Sequence, residues 1–133
     1  MTARTLTIAL ASLFAFAGCD AFTEEAPSSK VVRNGDPVRG REIIASGIHG
    51  CNACHTIPGV RAARGVVGPP LDDLARRAFI AGQLPNRPAI LIEFVLDPPA
   101  LVPETAMPNV GLSPAEARHV AAYLYTLERR DAE

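Results

Sequence analysis

The stretch Cys51-Asn52-Ala53-Cys54-His55 constrains this chain more than any other. Two thiols three positions apart, followed at once by an imidazole, are what covalent attachment of a porphyrin requires. Each cysteine can form a thioether to one vinyl group, and the adjacent histidine then lies beneath the iron as its proximal ligand. Two other chemistries compete for the same residues. A zinc site needs a second pair of ligands at comparable spacing, and the remaining cysteine, Cys19, lies far upstream in an apolar segment. A redox dithiol sits at a strand-to-helix junction within a βαβ pattern, and no such pattern is present. The spacing therefore points to one covalently bound haem c, held by Cys51 and Cys54 with His55 as an iron ligand.

Upstream, residues 1–18 read as an export signal, with one cation at Arg4 and an apolar run from Leu6 to Ala17. The run is too short to be a comfortable membrane span. It ends in Phe16-Ala17-Gly18-Cys19, which resembles the lipobox of bacterial lipoproteins, with Phe16 where that family usually has leucine. The resemblance implies that Cys19 is diacylated and becomes the mature N-terminus. Ordinary cleavage near Ala17 or Gly18, leaving Cys19 as a spare thiol, is the alternative; a lone cysteine at the end of the apolar run favours lipidation. Several acyl chains hold a protein stably on a membrane where one does not. Asp20 resembles the residue that keeps such lipoproteins on the inner membrane in some bacteria. From Ala21 to Asn34 the composition turns to Thr, Glu, Pro, Ser and Lys with no apolar period, so residues 19–34 read as an anchor and a flexible tether.

The remainder, residues 35–130, is one domain. A domain of ~100 residues is marginal on its own core, and an embedded porphyrin would supply apolar interior. The formal net charge of −1 gives no reason to expect nucleic acid as a partner. Arginines crowd the middle (Arg61, Arg64, Arg76, Arg77, Arg87), while carboxylates weight the C-terminal part, an asymmetry that can orient a redox partner or simply be solvated.

Within the domain, Asp36-Pro37 is a helix start, an N-cap followed by proline at the first helical position. Ile43 and Ile44 supply its apolar face. Gly40 costs about 1 kcal/mol relative to alanine in a helix, so close approach by another helix is expected there. Gly47 and Gly50 loosen the chain before Cys51, and His49 between them reads as a surface residue rather than a ligand. Thr56 to Val67 reads as loop. Leu71, Leu74, Ala75, Ala78 and Phe79 recur at helical spacing and predict a short amphipathic helix. Asn86 and Pro88 open another, apolar at Ile90, Leu91, Phe94, Val95 and Leu96, which Pro98-Pro99 closes. The proline-rich loop from Pro99 to Pro108 holds Met107, which apart from the initiator is the only methionine. Placed in a loop rather than on a helical stripe, it is the candidate distal ligand; a thioether there favours ferrous iron. His119, inside the last helix, reads as structural or solvated. Ser113-Pro114-Ala115-Glu116 is a capping box that starts that helix, and Ala117, Val120, Ala121, Leu124 and Leu127 give it a continuous apolar face. No run alternates with period two long enough for a strand, so the fold class is mostly α.

Taken together, Cys51 to His55, Gly68-Pro69, Met107 and the two terminal helices make the chain resemble a bacterial class I monohaem cytochrome c. The resemblance covers about Gly35 to Arg129. It implies the cytochrome c fold, with N- and C-terminal helices crossing beside one covalently bound haem, Gly40 and Ile44 meeting Val120, Tyr123 and Leu124. It also implies that the Pro69 carbonyl accepts the N–H of His55. A stiff carbonyl partner makes physical sense for a ligating imidazole, although a Pro-Pro pair can equally just separate two segments. Arg77 falls where the family often places an arginine near a haem propionate, and a solvated arginine is the alternative. The departures are a longer stretch between Gly40 and Cys51 and no tryptophan near the propionates, where Phe94 would take the packing role.

The function these features imply is single-electron transfer rather than catalysis. Two protein ligands would fill both axial positions, and the cofactor carries the redox chemistry. Expected partners are a quinol-oxidising complex or another cytochrome as donor and a terminal oxidase or reductase as acceptor, on the periplasmic face of the inner membrane. Two alternatives stay open: a haem sensor or enzyme with an open distal position, and a lipid-tethered docking subunit of a terminal oxidase.

Overall fold

A computed structural model describes residues 30–127. The expected leader, Cys19 and Asp20 lie outside the described residues. In chain order the described elements are α1 (Pro37–Ser46), α2 (Cys51–Cys54), a 3-10 turn (Leu74–Arg76), β1 (Phe79–Ile80), β2 (Leu84–Pro85), α3 (Pro88–Leu96), α4 (Pro98–Leu101) and α5 (Pro114–Leu124). The protein is mostly helical, with five helices and one two-stranded sheet among the described residues. None of these helices is long and apolar enough to cross a membrane.

The ends of α1 and α5 follow from local chemistry. Asp36 Oδ1 accepts from the N–H groups of Val38 (2.9 Å) and Arg39 (3.3 Å), with Pro37 at the first helical position. Ser113 Oγ accepts from the Glu116 N–H at 3.3 Å, while Glu116 Oε2 accepts from the Ser113 N–H at 2.9 Å, which completes the capping box.

Helix α5 packs most extensively on α1 and also carries α3. Ile44, Leu91, Phe94, Val95, Ala117, Val120, Ala121 and Leu124 bury their side chains in the resulting core. Gly40 sets how closely α1 and α5 approach. A Cβ built there would lie 1.9 Å from the His119 carbonyl oxygen and 2.9 Å from Tyr123 Cβ, so no larger residue fits. His119 has a structural part in the same contact: its Nδ1 accepts the Asp36 N–H at 2.9 Å, joining the start of α1 to the middle of α5. Tyr123 is buried, and its hydroxyl donates to the Pro58 carbonyl.

Several expectations are corrected. The helix expected over Leu71–Phe79 is only the single turn Leu74–Arg76, because its amides are claimed elsewhere. Ala75 N–H donates to Leu127 O at 3.3 Å, and Arg76 and Arg77 close three-residue turns onto Asp73 and Leu74. Phe79 leaves the helical pattern for a hairpin, in which Phe79 faces Pro85 and Ile80 faces Leu84. That pairing is too short to leave a period-two signature. Pro98-Pro99 ends α3 and also opens α4, so part of the expected loop is helical. Lys30 to Asn34, expected within the tether, belongs to the folded unit: Val32 is 7 % exposed, and Lys30 Nζ donates to the carbonyls of Ala75 and Arg77.

Asn86 is a further correction, since it does not cap α3. At 6 % exposure it donates to Leu74 O (2.7 Å) and Arg77 O (2.9 Å) and accepts from the Tyr125 hydroxyl at 2.9 Å. Burial pushes the Tyr125 phenol up to about 12, so it stays a donor throughout the neutral range. Replacing Asn86 with leucine leaves the buried Tyr125 hydroxyl without its acceptor and takes one of two donors from each of the Leu74 and Arg77 carbonyls. An orphaned buried polar group costs about 1–3 kcal/mol, and each lost hydrogen bond adds to this. The variant is therefore expected to lower stability by roughly 2–4 kcal/mol, read as a reduced denaturation midpoint at unchanged slope.

Candidate functional site

Gly50, at φ 68°, turns the chain so that Cys51 to Cys54 can close one helical turn, α2. Residues three apart on a helix share a face, so the two half-buried thiols project from one side of that turn. Both are free. The His55 N–H donates to Cys51 O at 3.0 Å, and the backbone then becomes extended, with φ −113° and ψ 143°. Residues 68–71 return along this segment: Gly68 N–H donates to Cys54 O at 2.8 Å and Leu71 N–H to Thr56 O at 2.9 Å.

This return places the Pro69 carbonyl 2.8 Å from His55 Nδ1. A carbonyl can only accept, so Nδ1 carries the proton and donates. Nε2 of the neutral ring is then the nitrogen with a free lone pair. Gly68 lies flat against the same ring. A Cβ built on it would be 2.4 Å from His55 Cε1 and 2.7 Å from Nδ1. Imidazole, glycine and proline carbonyl thus fix the tautomer and the orientation of His55 together, as expected for a ligating histidine.

The residues present fit a haem, with two thiols on one turn and an imidazole oriented beside them. Burial pushes the Cys51 thiol up, a backbone hydrogen bond partly offsets this, and Cys54 adds to the rise. An attacking redox dithiol has the opposite shift. Among the described residues no three His, Cys, Asp or Glu side chains gather as donors for a metal ion. Half-buried apolar side chains, Cys51, Leu71, Leu84, Leu101, Met107 and Val110 among them, pack against the buried core.

The remaining expected residues are placed as follows. Met107 lies in the loop after α4, half-buried against the same apolar cluster that Cys51 touches, with its N–H donating to Thr105 Oγ1 at 3.2 Å. Arg77 is not a solvated arginine. Its Nε donates to Asp73 Oδ1 at 2.7 Å, and Nη2 reaches the Pro70 carbonyl and Asp72, the latter at 3.9 Å. Its guanidinium therefore braces the loop whose neighbouring carbonyl holds His55. Phe94 is a core residue at 7 % exposure. The structure thus joins Cys51, Cys54, His55 and Pro69 by hydrogen bonds, with Arg77 behind Pro70 and Met107 on the shared cluster.

His49 was expected at the surface, and this is corrected. Its side chain is 11 % exposed, with Nδ1 2.9 Å from Val110 O and Nε2 3.5 Å from Glu116 Oε1. It ties the loop before Cys51 to the loop that carries Met107 and to the start of α5. Hydrogen bonds from Ser113 hold the Glu116 carboxyl below the usual carboxylate range, and His49 adds to this. Nothing local signals the contact, because Val110 lies 61 positions away.

Comparison with known proteins finds no family model and no curated protein that matches the chain.

Proposed function

We propose that this chain is an exported monohaem c-type cytochrome that passes single electrons between redox proteins outside the cytoplasmic membrane, held at the membrane by acylated Cys19. The observation that carries the reading is the His55 geometry. Directly after a pair of thiols on one helical turn stands an imidazole whose Nδ1–H is fixed by Pro69 O at 2.8 Å, leaving Nε2 for iron. Cys51 and Cys54 would hold the porphyrin, and the Met107 thioether would be the second protein ligand to the iron, different in kind from the His55 nitrogen. When bound, the haem provides a one-electron couple whose potential the axial ligands set. The chain's own part is to orient His55 through Gly68 and Pro69, to brace that loop through Arg77, and to cover the ring with apolar side chains. The close packing of α1 on α5 through Gly40 supports a cytochrome c arrangement of the terminal helices. Ile48, Val66 and Val67, which are 83 %, 88 % and 81 % exposed, flank the attachment turn and Gly68 in sequence and suit brief docking to a donor or acceptor. The class of partner proposed is a quinol-oxidising complex or cytochrome on one side and a terminal oxidase or reductase on the other.

Intact mass and a visible spectrum of the native protein test the attachment. Met107→Ala tests the distal ligand: the variant is expected to keep its haem, lose the far-red thioether–iron absorption and show a lower reduction potential. An unchanged spectrum removes Met107 from the coordination sphere. Rapid carbon monoxide binding to the reduced parent at neutral pH would place the protein among sensors or enzymes instead.

A further inference from the structure

The loop that follows the attachment turn builds a second feature. Arg41 from α1 and Arg61 and Arg64 from the loop line a solvent-open hollow of about 440 Å³, together with Thr56, Gly59, Val60 and Ala63. That volume lies within the roughly 300–1,000 Å³ range of ligand clefts. Two of the three guanidinium groups are held on the loop backbone through Nε. Arg41 Nε donates to Gly59 O at 2.8 Å, and Arg64 Nε donates to Arg61 O at 3.3 Å. Anchoring at Nε leaves the two terminal amino groups of Arg64 available for an oxyanion, while the Arg41 side chain also hydrogen-bonds the Tyr123 phenol.

The charges around the hollow are unbalanced. Among the described residues, ion pairs form only at Arg77, with Asp72 and Asp73, and at His49, with Glu116, so no carboxylate answers Arg41, Arg61 or Arg64. Nor is the arrangement loose. Thr56 bridges to Arg64 as an isolated strand pair, Thr56 Oγ1 donates to Gly65 O at 3.0 Å, and Ile57 and Ala63 bond across the loop at 3.1 Å. The Tyr123 hydroxyl, donating to Pro58 O, fixes the loop to α5, and the Arg41 charge beside it opposes the upward push that burial gives this phenol. Three like charges have been gathered on a stapled scaffold with no counter-charge among the described residues.

We propose that this hollow is a binding site for a phosphate-type oxyanion, separate from the haem-attachment residues and independent of the electron-transfer reading. Three cations match a group that carries about two negative charges and at least three acceptor oxygens, as a phosphate monoester does, better than the single charge of a carboxylate. Arginine forks bind such oxygens in pairs through charge-assisted hydrogen bonds. The group can arrive free in solution or as the head group of an anionic phospholipid, and the chemistry of recognition is the same.

Calorimetric titration of the full chain, as matured in cells, with inorganic pyrophosphate at physiological ionic strength tests the free source. Sedimentation with phosphatidylglycerol vesicles, compared with phosphatidylcholine vesicles, tests the lipid source. Each is repeated on an Arg61→Gln, Arg64→Gln variant and on Arg39→Gln, an exposed arginine of α1 that does not line the hollow. Any acyl anchor contributes equally to parent and variants, so only their difference counts. Saturable one-to-one pyrophosphate binding, weakened roughly tenfold or more in the double variant and unaltered in Arg39→Gln, supports the site with a free anion. The same pattern confined to phosphatidylglycerol vesicles supports it with a lipid head group. No binding of either probe, or equal losses in both variants, overturns it. Unchanged melting of the double variant verifies that the fold is intact.

Discussion

A Gly40→Ala chain is expected to melt roughly 10–20 °C below its parent. Alanine is intrinsically the better helix former by about 1 kcal/mol, so on propensity alone the substitution would stabilise α1. Packing reverses the sign. The added Cβ would sit 1.9 Å from the His119 carbonyl oxygen, which is backbone within α5 and cannot turn aside as a side chain can. Relief requires the two helices to separate. That would strain the 2.9 Å bond from Asp36 N–H to His119 Nδ1 and open the seam around buried Ile44 and Val120. Overpacking of this kind costs about 1–3 kcal/mol and occasionally more, and the rigidity of the obstruction places Gly40 at the upper end. Val38→Ala, on the same helix but 66 % exposed, is the control and should be nearly neutral. Thermal unfolding followed by far-ultraviolet dichroism checks both, and a Gly40→Ala melt within a few degrees of the parent would contradict the packing described for α1 and α5.

Replacing both Cys51 and Cys54 with alanine is the second large effect. Under the proposed function the parent leaves cells equipped for haem attachment coloured, with an intact mass increased by one haem, and the double variant leaves them colourless at the mass of the bare chain. Folding should suffer with it, because a domain of ~100 residues buries too little surface to be robust on its own core. Under the same proposal, half-buried apolar side chains such as Leu71 and Met107 would be left without the porphyrin beside them. Single variants, which keep one thioether, should hold haem in lower yield. The two experiments fail separately: a colourless parent sinks the cytochrome proposal and leaves the Gly40 result standing.

What was legible in the sequence was whatever local chemistry dictates. Asp36-Pro37 and Ser113 to Glu116 announce their helices because capping is decided within four residues. Gly40 announced a close helix contact because a glycine inside an amphipathic helix is otherwise unfavourable. The Pro69 carbonyl was one of two even readings of the Pro-Pro pair, family resemblance favoured it as the partner of His55, and it lies 2.8 Å from His55 Nδ1. What stayed hidden depends on partners far along the chain. His49 looked like a loop residue because its acceptor, Val110, is 61 positions distant. Asn86 looked like a helix start, yet its side chain is spent on Leu74, Arg77 and Tyr125. The helical spacing over Leu71–Phe79 was real, but the Ala75 amide bonds to Leu127 and the pattern breaks into a turn and a hairpin.

The short turn at Ala75–Arg77 takes bonds from both extremities of the described chain: Lys30 Nζ reaches its carbonyls from one side, and Leu127 O receives the Ala75 amide from the other. The domain is drawn shut there like a purse. A fragment cut for expression at Gly35, where the helical part begins, would leave the purse open, and one that stops before Leu127 would do the same. Under the anchoring proposed at Cys19, tension on the chain ahead of Lys30 would be taken up first at this knot, before α1.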